Sequence, residues 1–255
     1  MLQLGIDRPE VFGPLLAGRR VGLIAGAASV DTAGRHSIDV LRAHADTYGY
    51  ALTTLFSVEH GLRGQAEAGF GDADHVDARS GLPVISLYGQ DETGRPRHHP
   101  DARALADVDV LVFDLQDVGV RFYTYTLSLH WLMESAAAHG KALVVLDRPN
   151  PNGDQVYGPV LERACVSAIG IDPLPLLHGL TVGELARMMA GEGWLNTPGG
   201  DDADWGARAR RPLALHVVPL RAYTHAQRRG NSALPVAGPV RGDQRQYGPR
   251  LRCAA

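Results

Sequence analysis

The feature that most limits what this chain can become is an alternation. Five short apolar runs, Val21 to Ala25, Leu52 to Ser57, Val84 to Tyr88, Val110 to Phe113 and Leu143 to Leu146, are separated by stretches long enough to hold a helix or a long turn. Runs that are apolar at nearly every position, rather than at every second one, fit strands covered on both faces, which is the setting of a parallel sheet. Between the last two runs, Leu129, Leu132, Met133, Ala136 and Ala137 follow the spacing of one helical face, and Gly140 is placed to end it. A β-α-β unit follows. A second helix is expected to open at Thr181, where Thr181 and Glu184 form a T-x-x-E capping box ahead of Val182, Leu185, Ala186 and Met189. Residues 196 to 211 read as a surface loop before a further strand at Leu213 to Val218. From Arg228 onward Gly, Pro and Arg dominate without any period, the composition of a loose tail. The expectation is an α/β, Rossmann-like fold with a mostly parallel sheet and flanking helices over residues 1–223, and an irregular tail over 224–255.

Composition narrows the partners. The chain has 255 residues, of which 45% are hydrophobic, enough for a large core. Its 25 basic and 28 acidic residues are interspersed and nearly cancel, so no field suited to nucleic acid or to an anionic membrane is expected. A neutral or small polar substrate fits better. Cys165 and Cys253 are far apart in sequence and predict neither a disulfide framework nor a thiolate metal cluster. The N-terminus lacks a basic segment followed by an apolar one, and no run approaches the roughly 18 apolar residues of a membrane span, so a cytoplasmic location is expected. Oligomeric state is not readable.

In open parallel sheets ligands bind beyond the carboxyl ends of the strands. Polar residues directly after the apolar runs are therefore the candidates for a site. Three segments qualify: Val58-Glu59-His60-Gly61-Leu62-Arg63-Gly64, Asp114-Leu115-Gln116-Asp117-Val118-Gly119-Val120-Arg121-Phe122-Tyr123-Thr124-Tyr125, and Asp147-Arg148-Pro149-Asn150-Pro151-Asn152-Gly153. If the strands are parallel, all three share one rim.

Glu59, flanked by His60 and Arg63, has the setting of a general acid or base, and the competing reading is a simple ion pair with Arg63 across a turn. Asp114 and Asp117 can orient hydroxyls, hold a water or fix Arg121, whereas a structural reading makes Asp117 a cap for the next turn. Tyr123 and Tyr125 offer ring faces for a sugar, with at least one of the two expected to pack inward. Asp147, Arg148 and Asn150 suit recognition of a carboxylate or amide, but Arg148 could instead neutralise Asp114 or Asp147. His178, just ahead of the capped helix, either reaches the same rim or is a loop histidine.

Other signals drop out. Neither G-x-G-x-x-G nor G-x-x-x-x-G-K-[ST] occurs, and there is no G-x-S-x-G nucleophile elbow. His98 and His99, set among Arg and Pro, read as a solvated loop rather than a metal site. No cofactor and no metal are expected.

Taken together, Gly5-Ile6-Asp7-Arg8, the run from Ser57 to Gly64, Phe113 to Tyr125, Leu146 to Gly153 and His178-Gly179-Leu180-Thr181 resemble the exo-β-N-acetylmuramidase family of glycoside hydrolases, long described only as a bacterial domain of unknown function. The similarity runs in order from about Gly5 to about Tyr223, and the F-D-x-Q-D-V-G-x-R-F-Y-T-Y segment is long enough to be specific. The resemblance implies removal of terminal β-linked N-acetylmuramic acid from the non-reducing ends of peptidoglycan fragments, in cell-wall recycling. It places Glu59 at the glutamate of the family's S-x-E-H-G motif. Cleavage ordinarily takes a second carboxyl group, for which Asp114 is the candidate, with Asp117 or a residue outside this chain as the alternatives. His60, Arg63, Gln116, Asp117, Arg121, Tyr123, Asp147, Arg148, Asn150 and His178 match further motif positions and are expected to bind substrate. An arginine would grip the lactyl carboxylate, and Asn150 or Gln116 the acetamide.

Family members continue into a second, smaller domain where this chain has its unpatterned tail, so a truncated and impaired enzyme is expected. Two other classes stand beside the glycosidase. A metal-dependent phosphohydrolase would use Asp114, Asp117 and Asp147 around Mg²⁺. A non-catalytic protein would hold a muramyl sugar without turnover.

Overall fold

A computed structural model describes residues 1–64, 73–88, 97–167, 169–196 and 212–227. The apolar runs become strands β1 (Arg20–Ala25), β2 (Ala51–Ser57), β4 (Pro83–Ser86), β5 (Val110–Asp114), β6 (Ala142–Leu146) and β9 (Leu215–Val218). With the short β3 (His75–Val76) they form a seven-stranded sheet in the order β3-β4-β2-β1-β5-β6-β9. Every pairing is parallel except that of the edge strand β3 with β4. β7 (Val156–Tyr157) and β8 (Leu177–His178) form a separate antiparallel pair.

Alternate side chains of one strand feed two cores. From β5, Leu111 and Phe113 join Leu129, Leu132, Met133, Leu185 and Met189 on the face covered by α3 (Thr124–Ala138) and α4 (Val182–Gly191). Val110 and Val112 point the other way, to Phe12 and Leu16 of α1 (Pro9–Leu16) and Ile38 and Leu41 of α2 (Ser37–Tyr48). This two-sided burial is why the runs lack polar alternation.

The helix ends have local causes. Thr181 Oγ1 accepts from Glu184 N at 3.2 Å while Thr181 N donates to Glu184 Oε2 at 2.9 Å, the reciprocal capping box at the head of α4. α3 stops where Gly140 takes a left-handed φ of 63°, letting Lys141 N reach Ala136 O at 2.9 Å.

β1, β2, β4 and β6 each begin one residue earlier than the sequence reading placed them, and three other boundaries also differ. β4 closes at Ser86 because the Ser86 hydroxyl donates to Tyr88 O and folds Leu87 and Tyr88 into a turn. β9 begins at Leu215, and β5 runs on to include Asp114. His98 and His99 are not a solvated loop: His98 stacks on Trp131 of α3 at 4.0 Å, and His99 meets Glu134 at 3.1 Å. Most of the loop expected at 196 to 211, the tail from Arg228, and Cys253 lie outside the described residues. The start of the expected tail is tied down, since His225 Nε2 lies 2.8 Å from Glu184 Oε2.

Candidate functional site

The chain runs from β1 outward to β2 and β4, then returns to place β5 on the other side of β1. At such a reversal the loops leaving neighbouring strand ends diverge and open a crevice. All three sequence motifs leave carboxyl ends of strands in this region: Glu59 after β2, Asp114 to Tyr125 from β5, and Asp147 to Gly153 after β6.

The β2 exit is a tight, strained turn. His60 has φ 70° without being glycine, followed by Gly61 at 72° and Gly64 at 68°. A Cβ at Gly64 would stand 2.9 Å from that of Ala27, so the loop packs directly on the β1 exit. Glu59 does not use Arg63 as its hydrogen-bond donor on the rim. Thr124, the first residue of α3, donates its hydroxyl to Glu59 Oε2 at 2.7 Å, and the Tyr125 hydroxyl lies 3.5 Å from Glu59 O. Arg63 turns away to Asp77, giving it Nε and Nη2 at 2.9 Å each. Hydrogen bonds from Arg63 hold the Asp77 carboxyl well below the usual range.

Asp114 and Arg148 form a closed unit. Both side chains have zero exposure, and Arg148 donates Nε and Nη2 to the two Asp114 oxygens at 2.6 and 2.9 Å. Ser37 also donates to Asp114, and Arg148 Nη2 reaches Val30 O at 3.0 Å. This ties the exits of β1, β5 and β6 together. Asp147 is likewise engaged, accepting from Gly183 N at 2.7 Å and Thr181 Oγ1 at 3.1 Å, so that it anchors the head of α4. Burial pushes its carboxyl up to about 6 despite these bonds.

The β5–α3 loop is locked from the other side. A Cβ on Gly119 would meet Asn150 Oδ1 at 2.1 Å, and its φ of 76° is open to glycine. Asn150 donates to Leu180 O at 3.0 Å, and Gln116 donates to Pro149 O at 2.9 Å. Asp117 Oδ2 accepts from Gly119 N at 2.8 Å, the capping role, and lies 3.2 Å from His178 Nε2. That second contact is close enough for charge attraction but lacks the alignment of a hydrogen bond. Arg121 serves as a strut, donating to Pro159 O and Leu174 O at 2.8 and 2.5 Å. Tyr125 packs inward and is pushed up to about 12 by burial, while Tyr123 stays partly exposed, its ring centre 4.7 Å from that of Tyr125.

Among the described residues nine buried polar side-chain atoms have no hydrogen-bond partner; three, Arg8 Nε and His98 Nδ1 among them, lie outside the strand-exit motifs, and the other six, Ser57 Oγ, His60 Nδ1, Gln116 Oε1, Asp117 Oδ1, Arg148 Nη1 and His178 Nε2, lie in those motifs or next to them. Buried polar groups are normally paired, so these exceptions make the strand-exit motifs candidates for polar contacts with water or a ligand. The three aspartates of the phosphohydrolase reading turn to three different sets of partners. Among the described residues no three His, Cys, Asp or Glu side chains converge in the manner of a metal site. Sequence reasoning passed over Thr124 and Asp77. Thr124 lay inside a recognised motif, and only its place as the first residue of α3 distinguishes it.

A family model described as "Exo-beta-N-acetylmuramidase NamZ, N-terminal" matches residues 21–239. The chain is 43% identical over 190 residues to the peptidoglycan beta-N-acetylmuramidase NamZ of Bacillus subtilis (strain 168), covering 73% of this chain and 44% of that one. It is similar in structure to two DUF1343 family proteins from Bacteroides fragilis NCTC 9343. One has a TM-score of 0.74 at 35% identity, with 89% of this chain and 52% of that chain covered. The other has 0.70 at 31%, with 89% and 54% covered. The chain thus spans about half the length of the relatives it matches.

Proposed function

Because the chain belongs to the exo-β-N-acetylmuramidase family, to whose N-terminal domain it corresponds, we propose that it hydrolyses terminal β-linked N-acetylmuramic acid from the non-reducing ends of peptidoglycan fragments, with Glu59 as the leading catalytic carboxylate. The observation that carries this reading is the position of Glu59, held by the head of α3 beside a rim of unpartnered polar atoms.

Glycosidic cleavage ordinarily takes two carboxyl groups. Asp114 is poorly suited to be the second, since both its oxygens are committed to Arg148 in a site closed to solvent. Asp117 has an unpartnered Oδ1 and a histidine beside it, and it is the better candidate. Of the other unpartnered atoms, Ser57 Oγ and Gln116 Oε1 can accept from sugar hydroxyls or the acetamide N–H. His60 Nδ1 and His178 Nε2 can donate to the lactyl carboxylate when the rings carry the proton there. The bidentate arginine grip expected from sequence is less available, because Arg63 and Arg148 each spend two nitrogens on an aspartate. Asp147, Asn150 and Arg121 support this reading as framework, shaping the rim through the contacts described above. Turnover of wall fragments in the cytoplasm, on a Rossmann-like domain, completes the proposal.

The test is release of N-acetylmuramic acid, or of a chromophore from its β-glycoside, by the chain and by Glu59→Gln at equal concentration with matched unfolding curves. Loss of a general acid or nucleophile is expected to lower turnover by about 10²- to 10⁴-fold. No release by the folded parent, or equal release by both proteins, sinks the assignment. Recovery of the protein outside the cytoplasm in cell fractionation would overturn the location.

A further inference from the structure

We infer that Thr124 is a positioning residue for Glu59, its hydroxyl donating to Glu59 Oε2 and fixing how the carboxylate faces the substrate. The inference rests on the reading of Glu59 as the catalytic carboxylate.

Three features of the geometry support it. Thr124 is the first residue of a fifteen-residue helix, and its backbone is held there because Ser128 Oγ donates to Thr124 O at 3.0 Å and Thr126 Oγ1 donates to Tyr123 O at 2.8 Å. A β-branched side chain on a helix has few rotamers, so the hydroxyl is aimed rather than wandering. Next, Tyr125 brings its own hydroxyl to within 3.5 Å of the Glu59 carbonyl, so consecutive residues of one rigid element address both the side chain and the backbone of Glu59. Last, the loop carrying Glu59 has an intrinsically unfavourable torsion at His60, and a strained turn keeps its geometry only where its surroundings over-determine it. The start of α3 also presents the positive end of the helix dipole to a carboxylate.

A hydroxyl donor on a rigid element fixes the direction in which a carboxylate presents its second oxygen, so the hydroxyl sets the orientation of Glu59. Valine keeps the branched shape of threonine and removes the donor, whereas serine keeps the donor.

The experiment measures kcat and KM with the muramyl β-glycoside for the parent, Thr124→Val and Thr124→Ser, each checked for a parent-like unfolding curve. Thr124→Val is expected to lose about tenfold in kcat with KM little changed, and Thr124→Ser to stay close to the parent. An unchanged kcat in Thr124→Val overturns the inference, as does a serine variant that behaves like valine or a loss carried by KM alone. Absence of turnover by the parent counts against the activity instead, and the contact is then read from the ¹³C resonance of the Glu59 carboxyl at fixed pH, identified by its absence in Glu59→Gln: it should move in Thr124→Val and stay in Thr124→Ser, and a resonance unmoved in Thr124→Val overturns the inference.

Discussion

Two halves of one strand-end rim behave in opposite ways. At the exits of β5 and β6, Asp114, Arg148 and Ser37 form a dry unit in which both aspartate oxygens are satisfied. Gln116 and Asp117, a few residues beyond Asp114, and His178, ahead of α4, keep polar atoms buried and unpartnered. Sequence position gave both groups equal standing, since each follows an apolar run. Pairing of the charged groups separates them: in the first, both Asp114 oxygens and two Arg148 nitrogens are tied into a clamp holding three loops in register, with Arg148 Nη1 left over, whereas in the second each of the three residues keeps an unpartnered atom.

The sharpest way to break this contrast is to neutralise one aspartate in each half. Asp114→Asn leaves the Arg148 charge buried without compensation, and a loss of about 3–5 kcal/mol in unfolding free energy is expected from denaturant titration. Asp117→Asn should cost less than about 1 kcal/mol in the same experiment while sharply lowering turnover. Equal stability losses at the two positions would erase the distinction.

The contrast can be sharpened through a saturated cluster elsewhere on α3. His130 sits between Asp172 at 2.8 Å and Glu134 at 3.2 Å, with His99 on the far side of Glu134. Burial opposes its charge, yet hydrogen bonds to the two carboxylates outweigh that and push its pKa up from 6.5 to about 9. A raised folded-state pKa stabilises fully below the unfolded value and loses that contribution as pH rises through the folded one. Unfolding free energy should therefore fall between pH 6.5 and 9, by up to about 3 kcal/mol. His130→Gln should flatten the curve in that window. An unaltered slope in the variant would assign the pH dependence to other groups.

The smallest effect concerns the helix that Asp147 anchors. Thr181→Ala removes both the capping oxygen and a donor to Asp147, and a loss of about 1 kcal/mol is expected. No measurable loss would mean that Asp147, through Gly183, holds the head of α4 without help.

Much of this was legible in the sequence where the signal was local. The buried strands, the end of α3 at Gly140 and the capping box at Thr181 each depend on residues close together in the chain. α1 was not anticipated because Pro9, Gly13 and Pro14 argue against a helix, although Pro9 at its first turn is well tolerated. α2 hid behind a polar surface and an unusual cap, the ring of His36 accepting from Ile38 N. The partner of Arg63 could not be read at all, and for Arg148 the sequence offered Asp114 or Asp147 without deciding between them. Asp77 lies 14 residues from Arg63, and Asp114 lies 34 from Arg148, so only the sheet order decides which carboxylate each arginine meets. Glu59 followed the same logic in reverse: its neighbour in sequence, Arg63, gave way to a hydroxyl 65 residues away.

The left-handed torsion at His60 also bears on anyone trying to make a hardier version of the protein. Glycine there would relieve a non-glycine residue of an awkward backbone, and a screen that rewards only heat tolerance would retain it. The same exchange removes the stiffness next to Glu59 and the ring nitrogen that faces the rim. Endurance and turnover would then be traded against each other at a single bond rotation, and ranking variants by melting temperature alone would select the wrong ones.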